Sequence, residues 1–164
     1  MRKEAVDGWS APNLATVLGP LLRARVRLWR LPGGLLAEHR FLRLTHLGRF
    51  SGRRSQSMLE IVGAGSTPGE VIVSAGFGSA ADWYRDVQAH PAIEVALSDR
   101  RFRPAHRILD EPEVVAVLAA YEQSHRWITQ LLRDQVNWCY DGTDRARRRL
   151  ARELTLVAFR PTAR

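Results

Sequence analysis

The chain contains one cysteine, Cys139, one lysine, Lys3, and no long apolar segment. A lone cysteine excludes an internal disulfide and a metal site built from several cysteines. No apolar run approaches the ~20 residues that a transmembrane helix needs, and no apolar segment follows the charges of the first residues. We therefore expect neither a signal peptide nor a membrane span, and we expect the protein to be cytoplasmic.

Several catalytic and binding motifs are also missing. The histidines show no H-E-x-x-H or other paired spacing, so no metal site is expected. The sequence has no G-x-S-x-G, no phosphate-binding loop of the G-x-x-x-x-G-K type and no G-x-G-x-x-G. Hydride transfer remains compatible with these absences, because the cofactor carries the reactive carbon and the protein supplies position and electrostatics.

What the chain has in excess is positive charge. Its 164 residues carry a formal net charge of +8, and the sequence pI is about 11.0. Such a field favours anionic partners, which include a phosphorylated or polyglutamylated cofactor, nucleic acid and an anionic membrane. The length fits one domain with a single core.

Residues 1–40 are predicted to form a tail followed by a basic amphipathic helix over residues 14–31. This helix has two possible fates: it packs on the rest of the protein, or it lies on an anionic membrane surface, which would make the protein membrane-peripheral. Residues 41–164 are predicted to form the folded domain.

Periodicity in this domain predicts alternating strands and helices. The predicted strands cover residues 41–47, 55–62, 71–73, 93–97, 101–109 and 154–159. Helices are predicted from Asp82, as the capping residue, to the residue before Pro91, and over residues 112–121, 127–136 and 143–153. Pro104 indicates an edge or a bulge in the fifth strand. Short turns between consecutive strands predict an antiparallel α+β barrel.

The turn between the first two strands carries most of the chemistry. It holds two glycines, a serine and three arginines, namely Gly48, Arg49, Ser51, Gly52, Arg53 and Arg54. Guanidiniums and outward backbone N–H groups can anchor phosphate or carboxylate. A hairpin turn with solvated arginines is the alternative interpretation.

Two blocks of sequence together resemble a known family. The pattern L-T-x-x-G-R-x-S-G begins at Leu44, and Ser74, Gly76, Phe77 and Gly78 precede D-W-Y-R-D-V, which begins at Asp82. This combination resembles the deazaflavin-dependent nitroreductase family, over roughly residues 41–161. The resemblance implies a six-stranded antiparallel split β-barrel with flanking helices, related to the FMN-binding, pyridoxamine-phosphate-oxidase-like fold.

The resemblance also implies a cofactor, coenzyme F-420, and a reaction. A reduced deazaflavin would give a hydride to an activated double bond, a quinone or a nitro compound. The implied cofactor contacts are Arg49, Ser51, Gly52, Met58, Leu59, Ser74, Gly76, Phe77, Gly78 and Trp83, with Arg53 and Arg54 added by proximity. Candidate substrate contacts are the tyrosines Tyr121 and Tyr140, since a phenol can donate a proton as hydride arrives.

Three positions depart from the family pattern. Phe50 and Ser55 stand where basic residues are common, and Met58 stands where proline is common. FMN is therefore the alternative cofactor, and a split barrel that binds flavin, a tetrapyrrole or a fatty acid without turnover is the alternative role. A third hypothesis is a membrane or nucleic-acid binder that uses Arg23, Arg27 and the arginines of residues 145–152. Nucleic acid is not expected, because no aromatic residues are interleaved on the basic helix and no nucleic-acid motif is recognisable. Monomer and homodimer both remain open.

Overall fold

The computed structural model describes residues 41–77, 81–124 and 142–162. Within these residues seven strands run over Phe41–Leu47 (β1), Arg54–Ala64 (β2), Val71–Phe77 (β3), Glu94–Ala96 (β4), Arg101–Phe102 (β5), Pro104–Ile108 (β6) and Leu154–Pro161 (β7). Three helices run over Asp82–Ala89 (α1), Glu111–Ser124 (α2) and Asp144–Glu153 (α3). The helices predicted over residues 14–31 and 127–136 lie outside the described residues.

All strands belong to one antiparallel sheet with the order β5-β4-β1-β2-β3-β7-β6. Its two edge strands, β5 and β6, are separated along the chain only by Arg103. The sheet therefore curls so that its two edges are formed by consecutive parts of the chain, and the result is a nearly closed barrel. The predicted α+β barrel class is confirmed.

The number of strands differs from the prediction of six. Residues 101–109 were expected to form one strand with an irregularity at Pro104. The structure breaks this stretch into β5, which pairs with β4, and β6, which begins at Pro104 and pairs with β7. Proline cannot donate a backbone hydrogen bond, so it is tolerated at the first residue of a strand.

Alternation along β1 and β2 sorts their side chains into an inner and an outer face. Leu42 lies opposite Leu59, and both are buried in the barrel core. The next pair along, Arg43 and Met58, points to the outer face. The functional features described below lie on this outer face and at the turn that joins the two strands.

Strands β3 and β7 are apolar on both faces because each face is covered. Val73 and Phe159 face the barrel core and are 0% exposed. Ile72 and Leu156 face a second cluster, in which they pack with Val114 of α2 and with Ala151 of α3. Gly63 of β2 permits this packing, since a Cβ there would meet Val117 Cγ1 at 3.3 Å.

The helix starts follow local hydrogen-bonding rules at α2 and α3. Before α2, the backbone N–H of Glu113 donates to Asp110 Oδ1 at 2.9 Å, and the N–H of Asp110 donates to Glu113 Oε2 at 3.2 Å. Before α3, Thr143 Oγ1 accepts from the N–H of Ala146 at 3.3 Å. The α2 cap is reciprocal, with two mutual hydrogen bonds, and the α3 cap uses a single side-chain hydrogen bond.

The prediction that Asp82 caps α1 is wrong. The capping position is Ala81, no side chain caps the helix, and Asp82 is the first helical residue. Its carboxylate instead meets the guanidinium of Arg49. In the described part of the chain, no helix is long and apolar enough to cross a membrane.

Candidate functional site

The turn between β1 and β2 is a compact loop closed by backbone hydrogen bonds. The N–H of Gly48 donates to the carbonyl of Arg53 at 2.9 Å, and the N–H of Gly52 donates to the carbonyl of Gly48 at 2.8 Å. Gly52 has a φ of 62°, a left-handed conformation that glycine adopts without steric cost. Ser51 Oγ accepts from the N–H of Arg53 at 3.3 Å, so the serine shapes the loop from within.

Arg49, a predicted anion contact, is engaged inside the protein. Its guanidinium lies 3.0 Å from Asp86 Oδ1 and 3.1 Å from Asp82 Oδ1, and its backbone N–H donates to Asp86 Oδ1 at 3.1 Å. The hydrogen bond to Asp86 contributes most to raising the pKa of Arg49. The hydrogen bond to Asp82 and the charge of that carboxylate raise it further, although partial desolvation acts in the opposite direction. Two carboxylates of α1 thus neutralise this guanidinium and fasten the turn to the helix.

Asp86 is 6% exposed and is also close to a buried histidine. Burial alone would raise the pKa of Asp86, but the backbone N–H and guanidinium of Arg49 and the charge of His46 together lower it. His46 Nδ1 lies 3.0 Å from Asp86 Oδ2, and His46 Nε2 lies 3.1 Å from Ser57 Oγ. Ser57, His46 and Asp86 therefore form a row of contacts that runs from β2 through β1 to α1.

These three side chains are connected in the same order as a hydrolytic Ser–His–Asp triad, but their geometry favours a structural role. His46 is 3% exposed, and its Nδ1 makes no aligned hydrogen bond to Asp86 although the atoms are close. Asp86 is at the same time committed to Arg49. We interpret the network as the link that holds the turn against the barrel.

The remaining arginines of the turn face solvent. Arg53 and Arg54 are exposed, and neither makes an ion pair among the residues that the structure describes. Phe50, at the tip, is 91% exposed and lies under the Arg49 guanidinium at 4.7 Å from the ring centroid. The cations of the turn that are available to a ligand are therefore Arg53 and Arg54.

A pocket of about 300 Å³ opens on the outer face of β1 and β2, beyond the turn. Its lining residues come from β1, β2 and the β4–β5 region: Phe41, Arg43, Met58, Ala96, Leu97, Ser98 and Arg101. Met58, a predicted cofactor contact, is 41% exposed here and lies opposite Arg43. The volume is at the lower end of the range for small-molecule sites.

Arg43 is the unusual member of this pocket. Its Nε is buried and has no hydrogen-bond partner among the described residues. A buried donor without a partner is costly, so a site of this kind favours an acceptor atom from a bound molecule. Arg101, which is exposed, brings a second guanidinium to the same pocket.

Other predicted cofactor contacts lie elsewhere. Leu59 is 8% exposed and belongs to the core, so it can offer only its backbone to a ligand. Trp83 is also 8% exposed, and its ring packs against Tyr84 and Phe159 at centroid distances of 6.0 and 6.3 Å. Its role as a wall of the cofactor pocket stays a prediction.

The cofactor contacts predicted after Val73 lie partly in a strand, because β3 extends from Val71 to Phe77 and not only over the predicted residues 71–73. Ser74 Oγ accepts from the N–H of Gly76 at 3.0 Å, and Gly76 has a φ of 78°. Phe77 is the last residue of β3, and Gly78 lies outside the described residues. The cofactor contacts predicted for this segment stay predictions.

Of the two predicted substrate contacts, Tyr121 is described and Tyr140 is not. The hydroxyl of Tyr121 donates to Glu60 Oε1 at 3.3 Å. Glu60 pairs with Phe41 and follows Met58 by two residues on β2, so it shares the outer face with the pocket. The contact brings Tyr121 to the edge of the strand that lines the pocket.

Two features escaped the sequence interpretation. The pocket around Arg43 depends on residues of the β4–β5 region, which are distant from β1 in sequence. The pairing of His46 and Arg49 with Asp86 crosses 40 and 37 positions, which no local pattern signals.

In the part of the chain that the structure describes, no group of three or more histidine, cysteine or acidic residues is placed to hold a metal.

No protein-family model matches the chain, and no curated protein matches it. Among solved structures, the chain is similar to a protein described as a domain-swapped dimer, with 16% identity, a TM-score of 0.49, and coverage of 88% of this chain and 98% of the other. It is similar to an F-420-H2 dependent reductase, with 16% identity, a TM-score of 0.46, and coverage of 73% and 93%. It is also similar to a pyridoxamine 5'-phosphate oxidase-related, FMN binding protein from Nostoc punctiforme, with 16% identity, a TM-score of 0.48, and coverage of 93% and 81%. At these identities and TM-scores the similarities do not assign an activity to this chain.

Proposed function

We propose that the protein is an oxidoreductase that uses reduced coenzyme F-420 to reduce an activated double bond, a quinone or a nitro compound. One observation carries the proposal: the exposed Arg54 lies on the same face of β2 as the pocket that Met58 lines, and Arg53 precedes it in the turn. Arg54 and Met58 are four positions apart, which is about 13 Å along a strand. This face suits a ligand with a flat ring at one end and an anionic group at the other.

The turn fits the anionic end of such a ligand. Arg53 and Arg54 are exposed, and arginine binds phosphate and carboxylate through paired N–H donors. Arg49 is neutralised by Asp82 and Asp86, so it would position the turn and would add little charge to the ligand site. The chain departs here from the role that the family resemblance implies for this arginine.

The pocket fits the ring end. Phe41 and Met58 supply apolar surface, and the unpartnered Nε of Arg43 supplies a hydrogen-bond donor beside it. Coenzyme F-420, when bound, would supply the hydride. The residues of the pocket would orient the ring edge and exclude water from one side of it.

Tyr121 is the described candidate for handling a proton. Its hydroxyl is held by Glu60, on the strand that lines the pocket. For this role the hydroxyl would turn from Glu60 to the substrate and donate its proton to a substrate oxygen, and the phenolate that remains would regain a proton from solvent. Tyr140 remains the second predicted substrate contact.

A second candidate function uses the same site with FMN. Because Arg49 is paired internally, two exposed arginines remain at the turn. Two cations suit a single phosphate as well as they suit a longer anionic tail. A split barrel that binds FMN, with or without turnover, is therefore the alternative.

Parallel fluorescence titrations with coenzyme F-420, FMN and FAD test these proposals. We expect the tightest binding for coenzyme F-420, and binding weaker by on the order of 10²-fold in Arg53→Gln/Arg54→Gln, because two charge-assisted contacts are lost. Arg148→Gln/Arg149→Gln on α3 is the matched control, since it removes the same charge from exposed positions elsewhere. Arg49→Ala is unsuitable because it would also break the ion pairs to α1.

A preference for FMN would replace the first cofactor with the second. Binding of none of the three would overturn the cofactor site. If coenzyme F-420 binds, consumption of its reduced form with quinones, enones and nitroaromatics tests turnover, and no turnover with any of them would contradict the enzyme assignment.

A further inference from the structure

The exposed face of α3 is a stripe of arginines. Arg145, Arg148, Arg149 and Arg152 recur with helical spacing, so their side chains share one face of the helix. The stripe extends over seven positions, or about 10 Å along the helix axis. All four side chains are exposed. We call this feature the arginine stripe.

The scaffold beneath the stripe is firmly held. Leu150 and Ala151 are 7% and 5% exposed and pack on the barrel side of the helix. Arg147, on a different face, bonds to Glu122 Oε2 at 2.9 Å and to Asp144 Oδ1 at 2.8 Å. The Thr143 cap fixes the first turn. The stripe is therefore presented by an anchored helix.

The charge of the stripe is largely uncompensated. Arg145, Arg148 and Arg149 are exposed and make no ion pair among the described residues. Arg152 meets Glu111 Oε2 at 3.2 Å, but its side chain is 70% exposed, and such a surface pair adds little stability. Four guanidiniums that their neighbours leave available favour a polyanionic partner.

We propose that the arginine stripe binds the sugar-phosphate backbone of nucleic acid without reading its sequence. Arginine is the side chain best matched to phosphate, and phosphate contacts alone supply most of non-specific nucleic-acid affinity. The earlier expectation against nucleic acid rested on missing aromatic residues and motifs, which backbone contacts do not require.

The composition of the surface favours a nucleic-acid strand over a membrane. The stripe consists of arginines alone, and the neighbouring Leu150 and Ala151 are buried, so the stripe offers no apolar side chain to insert into a bilayer. Anionic vesicles are therefore the competing partner that the experiment must exclude.

The number of arginines sets the expected salt dependence. Four phosphate contacts on duplex DNA give a slope of about −3.6 for the logarithm of the binding constant against the logarithm of salt concentration. A fourfold rise in salt should then weaken binding by on the order of 10²-fold. Each arginine removed should reduce the slope by about one.

The test is fluorescence anisotropy of the full chain with a labelled oligonucleotide, single-stranded and as a duplex, at several salt concentrations. We expect Arg148→Gln/Arg149→Gln to lower the slope by about two and to weaken binding equally for unrelated sequences. Arg103→Gln/Arg160→Gln removes the same net charge from exposed positions outside both proposed sites and should leave the slope nearly unchanged.

Equal effects of the two double variants would overturn the proposal, because binding would then reflect only net charge. Absence of oligonucleotide binding would also overturn it, and in that case binding of phosphatidylserine vesicles would identify a membrane as the partner of the stripe. These outcomes do not depend on cofactor binding, so the two proposals can fail separately.

Discussion

Replacing Asp86 with alanine would test how the β1–β2 turn is held against the barrel. Asp86 is 6% exposed and receives the backbone N–H and the guanidinium of Arg49, while His46 Nδ1 lies 3.0 Å away. Without the carboxylate, a buried ring and a backbone donor lose their acidic partner. Breaking a fully buried charged pair costs about 3–5 kcal/mol.

We expect the lower end of this range, about 3 kcal/mol, because the Arg49 side chain is 23% exposed and can turn toward water. With a urea dependence of about 2 kcal/mol per M, the unfolding midpoint of Asp86→Ala should fall by about 1.5 M. Asp86→Asn keeps an oxygen for the Arg49 N–H and loses only the charge. Its midpoint should fall by about half as much.

Urea unfolding followed by circular dichroism measures these shifts. The matched control is Asp82→Ala, because Asp82 contacts the same guanidinium at 3.1 Å but its side chain is 82% exposed. Its midpoint should barely move. If the Asp86 and Asp82 variants lowered the midpoint equally, the network around Asp86 would not be what fastens the turn.

Three further predictions concern the barrel itself. Gly65→Ala should lower the free energy of unfolding by about 2 kcal/mol, because a Cβ there would overlap the buried carboxylate of Glu70. The hydrogen bond from Arg107, whose guanidinium lies 3.0 Å from Glu70 Oε1, lowers the pKa of Glu70 below its usual 4.5. This pair should stabilise the fold above about pH 4.5 and lose its effect as the pH falls through the lowered pKa, so the urea midpoint of Arg107→Gln should depend less on pH in that window than that of the unmodified chain. Phe159→Ala should cost 3–5 kcal/mol in urea unfolding, since this ring is 0% exposed at the centre of the core, and a cost below about 1 kcal/mol would contradict the core assignment.

Local sequence patterns predicted most of the elements. Alternating leucines identified β1 with its observed bounds, and the helix predicted over residues 143–153 is α3, which begins one residue later with Thr143 as its cap. The cap of α1 was misplaced because Asp82 has the right chemistry for a cap, and its actual partner, Arg49, is 33 positions away. Pro104 indicated an irregularity in the predicted strand. Its effect on barrel closure could not be predicted, because the two halves of this strand pair with β4 and β7, which approach them only in the folded state.

The candidate site could be predicted only in part for the same reason. The turn residues were identified together because they are consecutive. Which of the turn arginines faces solvent is decided by Asp86 of α1, and the ring-sized pocket is completed by residues of the β4–β5 region. Long-range pairing of this kind leaves no periodic or compositional signal in a single sequence.

The proposed cofactor site requires one ligand to span the turn and the pocket. The most direct test is the dissociation constant of coenzyme F-420 for the unmodified chain, Arg53→Gln/Arg54→Gln, and Arg43→Met, in which the buried donor is replaced by an apolar side chain of similar length. We expect both variants to bind this ligand at least about tenfold more weakly, whereas Arg148→Gln/Arg149→Gln should bind it normally. Unchanged affinity in either the turn variant or the pocket variant would contradict a ligand that spans both.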